Sequence, residues 1–133
     1  MSARPGTRVR ENAAPAYAAE ADEPVWLTRE IVDALHDRRI AQHGGLPGVA
    51  NDHLIESALA RPRNLYAYVG GDIPRLAAAY AYGIAKNHGY RDGNKRTAFI
   101  SCYTFLGLNG LRLEAEEMDV VATMLELATD ALS

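Results

Sequence analysis

One run of ten residues, His88-Gly-Tyr-Arg-Asp-Gly-Asn-Lys-Arg-Thr97, gathers an imidazole, a carboxylate, an amide and several cations around glycine. Such residues are poor core material and suit the holding of a phosphate beside a base. A helix beginning near Asn94 leaves the N–H groups of about its first four residues unpaired and pointing back along its axis. Gly93 lets the backbone turn with positive φ and lets a ligand come close. With the helix dipole this makes an anion cradle, to which Lys95 and Arg96 add full charges, while Asn94 can cap the helix or donate to a phosphate oxygen. Taken alone, Asp92-Gly-Asn94 is a tight turn joining two helices.

Two neighbours extend the chemistry. Asp92 places a carboxylate next to the cradle, where it could hold a Mg²⁺ that bridges phosphates. His88 stands four residues earlier. An imidazole titrates near pH ~6.5, so it can take a proton from a hydroxyl at neutral pH. As a plain structural residue, it would be a histidine at a helix C-terminus satisfied by a carbonyl. Tyr90 reads as the anchor that pins the loop to the core.

Competing sites fail. Neither G-x-x-x-x-G-K-[ST] nor G-x-G-x-x-G occurs. His36 and His43 lie two helical turns apart, about 10 Å, too far to share one ion, and with His53 they read as surface or capping residues. Cys102 is the sole cysteine, which excludes an internal disulfide, and its apolar helical setting makes it a core thiol. The formal charge of −3 argues against a general nucleic-acid binder. The local reversal at Lys86, His88, Arg91, Lys95 and Arg96 favours an anionic small ligand instead. No apolar run of about 18 residues exists and the N-terminus lacks an apolar h-region, so no membrane association and a cytoplasmic location are expected.

The elements that must position this turn are helical. Residues 1–24, with three prolines and no helical stripe, read as a disordered extension, leaving 25–133 as one domain. Thr28 caps a first helix that runs to about Gln42, with Ile31 and Leu35 at i, i+4, and Gly44-Gly45 ends it. Asn51 caps a second helix with the stripe Leu54, Ile55, Ala58 and Leu59, which Pro62 is expected to stop. Residues 61–71 then form a loop with tyrosines packed inward. Residues 76–87, rich in Ala and Gly, make a central helix of close approach. Its partner spans 94–108 and closes at Asn109-Gly110. A last helix begins within 114–119, with Met118, Val121, Ala122 and Leu125 on one face. No capping element follows it, which leaves open a further short helix that the chain lacks. Leu111–Leu113 and Tyr66–Val69 are β-flavoured but too short and isolated to form a sheet. The expectation is an all-α, compact helical bundle with the active-site loop between two central helices.

The ten-residue run resembles the signature of the Fic/Doc superfamily, roughly H-x-F-x-[DE]-[GA]-N-[GK]-R. Leu35-His-Asp37, Gly44-Gly-Leu-Pro-Gly48, Leu54-Ile-Glu-Ser-Ala-Leu-Ala60 and Phe105-Leu-Gly-Leu-Asn-Gly110 resemble its death-on-curing (Doc) branch. The likeness covers about residues 25–130. It implies transfer of part of ATP onto a protein hydroxyl with Mg²⁺ as cofactor. By resemblance, His88 is the general base and Asp92 positions the metal or the target hydroxyl. Gly93, Asn94 and Lys95 form the anion hole, Arg96 grips a phosphate, and Lys86 sits where the Doc branch places a basic residue.

Lys95 replaces the glycine of most Fic enzymes, and Phe99 an arginine that seats the nucleotide for AMP transfer. Both changes resemble the Doc branch, which moves the γ-phosphate to a threonine of elongation factor Tu and arrests translation. Gly93 points the other way, since Doc favours alanine there, while Gly89 and Tyr90 replace the usual proline and phenylalanine. The resemblance implies control by a separate antitoxin of the prevent-host-death type, whose disordered tail folds into a groove. A Doc-type toxin kinase is the first expectation. AMP transfer, or a degenerate member that only binds antitoxin or nucleotide, stands as the alternative.

Overall fold

The computed structural model describes residues 9–11 and 23–113. They form four helices, α1 (Arg29–His43), α2 (Asp52–Val69), α3 (Ile73–Asn87) and α4 (Asn94–Leu108), and two short strands, β1 (Val9–Glu11) and β2 (Leu111–Leu113). The all-α class holds. The last predicted helix, from Glu114 onward, lies outside the described residues.

Three of the four helices start where a short polar side chain can accept from a first-turn amide. Thr28 Oγ1 accepts from Ile31 N, Asn51 Oδ1 from Leu54 N and Asp72 Oδ1 from Arg75 N. Each such cap contributes roughly 1 kcal/mol. Gly44, with φ 81°, ends α1, and its N–H donates to the Ile40 carbonyl.

Pro62 does not stop α2. The helix runs through it to Val69, so the loop expected over 61–71 is mostly helix, and Tyr68 points outward. Proline removes the N–H that would have met the Ala58 carbonyl. That carbonyl instead faces α3 where Gly83 has no side chain: a Cβ there would sit 3.2 Å from both Ala58 Cα and its oxygen. Pro62 itself is buried. The helix continues through the lost bond, with α2 and α3 crossing closely there.

The core lies between α3 and α4, lined by Leu76, Tyr80, Ile84, Ala98, Phe105 and Leu106, with Val32 of α1 and Ile55, Ala58 and Leu59 of α2 closing it. The segment before α1 is tied to it by two polar clips. Asn109 exchanges hydrogen bonds with both backbone groups of Val25, at 2.8 and 3.0 Å. The buried Tyr80 hydroxyl accepts from Leu27 N at 3.0 Å. Trp26 stacks on Phe105 beside them.

β1 and β2 pair antiparallel, Val9 opposite Leu113 and Glu11 opposite Leu111. This corrects the reading of Leu111–Leu113 as too isolated to pair. Its partner comes from the other end of the chain, inside the stretch expected to be disordered, and two three-residue strands have too little pattern to announce each other.

Candidate active site

The turn between α3 and α4 departs from ordinary backbone at both ends. His88, the C-cap of α3, adopts the left-handed conformation (φ 53°, ψ 47°) and is the one non-glycine residue with positive φ among those described. Such conformations are uncommon outside glycine and concentrate at functional sites. The His88 side chain is exposed. Gly93, at φ 73°, is the N-cap of α4 and supplies no side-chain cap. The N-terminus of α4 is therefore the uncapped one among the four helices.

Between these ends the loop is braced against two segments. Gly89 O accepts from Ala50 N and Asn51 N at 2.8 and 3.0 Å, and Arg91 N donates to Gly48 O at 3.0 Å. Residues 48–51 and 89–91 thus run as a short antiparallel pair. Gly89 must be small, because a Cβ there would lie 2.4 Å from Ile55 Cγ1 and 3.0 Å from Ile55 N.

Asn94 is buried, and both ends of its amide grip Tyr90: Oδ1 accepts from Tyr90 N at 3.0 Å, and Nδ2 donates to Tyr90 O at 2.9 Å. The expectation that this amide caps its helix or donates to a phosphate is corrected. The side chain holds the loop, and only the Asn94 backbone N–H stays with the helix N-terminus.

Asp92 is exposed, and its two carboxylate oxygens accept from Leu46 N at 3.1 Å and Gly93 N at 2.9 Å. These amides, Leu46 first, hold its carboxyl below the usual aspartate range, with help from the nearby Arg96 charge. A Cβ on Gly45 would come 2.8 Å from Asp92 Oδ2, which explains the second glycine after α1. Lys95 and Arg96 are exposed on the first turn of α4, on the same turn as the uncapped amides. Lys86 is directed elsewhere. Its ammonium lies 5.2 Å above the Tyr82 ring, which Arg61 also approaches at 5.1 Å.

Beneath the turn lies a residue read from sequence as surface. His36 is 1% exposed, its Nε2 stands 2.8 Å from Asp92 O, and its ring stacks on Tyr90 with centroids 3.9 Å apart and planes 11° apart. The Tyr90 hydroxyl donates to Asp33, and burial first, then Asp33, pushes its pKa up. Asp33 in turn takes two bonds from Arg29 Nε, whose Nη atoms reach Glu56 and Asp52 at 2.6 Å. The signal was present in the spacing of Val32, His36 and Ile40, four residues apart on one helical face.

Cys102 is buried as expected, and burial pushes its thiol up to about 12. Among the described residues no three His, Cys, Asp or Glu gather as a metal cluster, and no helix is long and apolar enough to cross a membrane.

This fold and turn define a class. The chain belongs to the Fic/DOC family, whose model matches residues 26–106 and so takes in the whole turn. Within that family it is similar to the "Protein kinase doc" of Escherichia phage P1, at 31% identity over 112 residues, 80% of this chain and 89% of that protein. It is also similar to the "Toxin Doc" of Mycolicibacterium smegmatis, at 42% identity over 94 residues, 68% of this chain and 69% of that protein.

Proposed function

We propose that the chain is the toxin of a toxin–antitoxin module, a kinase that moves the γ-phosphate of ATP to a hydroxyl of elongation factor Tu and blocks translation. The carrying observation is the uncapped start of α4 behind left-handed Gly93, with Lys95 and Arg96 exposed on its first turn. Uncapped helix amides with the dipole behind them favour a phosphate. The two relatives, named a protein kinase and a toxin, supply the class of activity.

In this reading the target hydroxyl oxygen attacks the γ-phosphorus, the bond from phosphorus to the ADP oxygen breaks, and His88 takes the hydroxyl proton. His88 is exposed and therefore within reach of a protein substrate. The backbone amides of Asn94 and Lys95, with the Arg96 guanidinium, hold the phosphate oxygens, and left-handed Gly93 lets the phosphate approach while its own N–H holds the Asp92 carboxylate. The single carboxylate of Asp92 fits a Mg²⁺ held mainly by phosphate oxygens and water, since such ions commonly take one or two carboxylates. Bound there, the ion would neutralise charge on the phosphates. Lys86, drawn toward Tyr82, is the weakest member of the proposed nucleotide-binding set.

Phosphate transfer is favoured over AMP transfer by two side chains. Phe99 is half-buried against the core and offers no charge to a terminal phosphate. Lys95 occupies the space a glycine would leave. Gly93, which resembles the AMP-transferring branch, has a local cause: at φ 73° a Cβ would sit 3.3 Å from Ile40 Cδ1. Its identity follows from backbone and floor and does not decide the transferred group. An antitoxin of the prevent-host-death type and a cytoplasmic setting complete the reading. The test is incubation with elongation factor Tu and ATP labelled at either the α or the γ position. Label retained from γ alone supports the kinase, and label retained from α alone replaces it with AMP transfer.

A further inference from the structure

The His36 side chain has no part in the chemistry above, yet it is buried against the backbone of the residue that does. Its Nε2 meets Asp92 O at 2.8 Å, and because a carbonyl only accepts, Nε2–H is the donor. The carbonyl lies between the Asp92 carboxylate and the Gly93 N-cap, the two features on which anion and metal binding depend in the proposed reaction. The ring is also held from the side. Tyr90 stacks on it at 3.9 Å, the Tyr90 hydroxyl is fixed by Asp33, and Asp33 by Arg29. Arg29 is anchored at Asp52 and Glu56 on α2. Although its burial opposes the charge, hydrogen bonds donated to Asp52, Asp33 and Glu56 outweigh it and raise the Arg29 pKa. Below Gly93, His36 ring atoms stand 3.8 Å from where a Cβ would be, and Ile40 one turn later touches both Gly93 and Gly45 in the same sense.

We infer that His36 is a positioning residue, which fixes the Asp92 carbonyl through Nε2–H and so sets both the Asp92 carboxylate and the left-handed Gly93 at the start of α4. The chain from Arg29 through Asp33 and Tyr90 keeps the His36 ring in the plane this bond requires. With Nε2 gone, the Asp92 carbonyl would face a buried ring that offers no donor, which costs more than the bond itself contributes, so the loop must shift. A structural filler would need only volume and flatness. A positioning donor needs a hydrogen at that point in space, and the two roles separate by substitution. His36→Phe keeps ring and stack but has no donor, whereas His36→Gln places an amide N–H near the position of Nε2.

The inference rests on the proposed function for its consequence, so the test reads the loop and the reaction separately. Amide hydrogen exchange is measured in the full chain for wild type and both variants, alongside transfer of labelled phosphate. Expected in His36→Phe is exchange about tenfold faster at the Leu46 and Arg91 amides, which depend on Asp92 and its loop, with Tyr80 and Ile84 in α3 unchanged. His36→Gln should return those amides to near the wild-type rate. Transfer should fall in the Phe variant with a raised KM for ATP, because anion and metal binding are what the shifted loop disturbs, and recover with Gln. Unchanged exchange at Leu46 and Arg91 in His36→Phe, or a Gln variant indistinguishable from Phe, overturns the inference. Should His36→Phe also lose protection in α3, Tyr90→Phe carries the test, and it must accelerate the same two amides for the inference to stand. Absence of transfer in wild type itself would refute the proposed function and leave the exchange result to judge His36.

Discussion

Asn94→Ala tests whether the signature asparagine is a loop clamp. The side chain is 7% exposed and makes a hydrogen bond to each backbone group of Tyr90, at 3.0 and 2.9 Å, while Tyr90 is itself 3% exposed. Alanine removes both partners and leaves a buried N–H and a buried carbonyl without replacements. A net hydrogen bond is worth about 1 kcal/mol, and a buried group left unpaired costs about 1–3 kcal/mol. Allowing for partial collapse of the loop, the expected loss is about 2–4 kcal/mol, read as a lower urea midpoint at unchanged slope. Asn94→Asp sharpens the result. One oxygen can still accept from Tyr90 N, but the other faces the Tyr90 carbonyl, so the variant should remain well below wild type. A loss under about 0.5 kcal/mol for Asn94→Ala would place the residue among ordinary surface positions and refute the clamp.

Three further outcomes follow from the same geometry. Gly89→Ala forces a Cβ to within 2.4 Å of Ile55 Cγ1 and should destabilise by about 2 kcal/mol in chemical denaturation, as overpacking does. Thr97→Val should raise stability by up to about 1 kcal/mol, because the buried Thr97 hydroxyl has no hydrogen-bond partner among the described residues; a clear loss would refute this. The Asp92 carboxyl binds its proton more weakly in the fold than in the unfolded chain, so the Leu46 and Gly93 bonds are complete above the ordinary aspartate value of ~4. They should be lost as pH falls through the lowered value, which carboxyl NMR titration with the Leu46 amide as reporter would follow.

Much of this molecule was legible in the residue order, for a physical reason. Helix starts are local events, and Thr28 and Asn51 cap the elements their types announced. The span of α4, Asn94–Leu108, follows from the glycine before it and Asn109-Gly110 after it. The turn is local too, so His88, Asp92, Gly93, Lys95 and Arg96 lie on it or on the first turn of the helix that follows.

What the order hid depends on contacts between distant segments. Pro62 breaks an isolated helix, but here α2 runs through it, with Pro62 buried and α3 crossing closely at Gly83. His36 lies 56 positions from the carbonyl it meets, and a search for apolar stripes passes over a polar residue on the buried face. Ile31 and Leu35, the pair at i, i+4, are half-buried, while the buried positions of α1 are Val32 and His36. Arg29, Asp33, Asp52 and Glu56 look like ordinary charges of solvated helices until α1 and α2 are brought together.

The central claim is that this turn transfers phosphate from ATP to a protein. It is tested most directly by mass spectrometry of elongation factor Tu after incubation with the purified chain, ATP and Mg²⁺, with His88→Ala in parallel. The account predicts a gain of one phosphate on a hydroxyl residue with wild type and none with His88→Ala. A gain of AMP, or a phosphate that appears equally with His88→Ala, would contradict it.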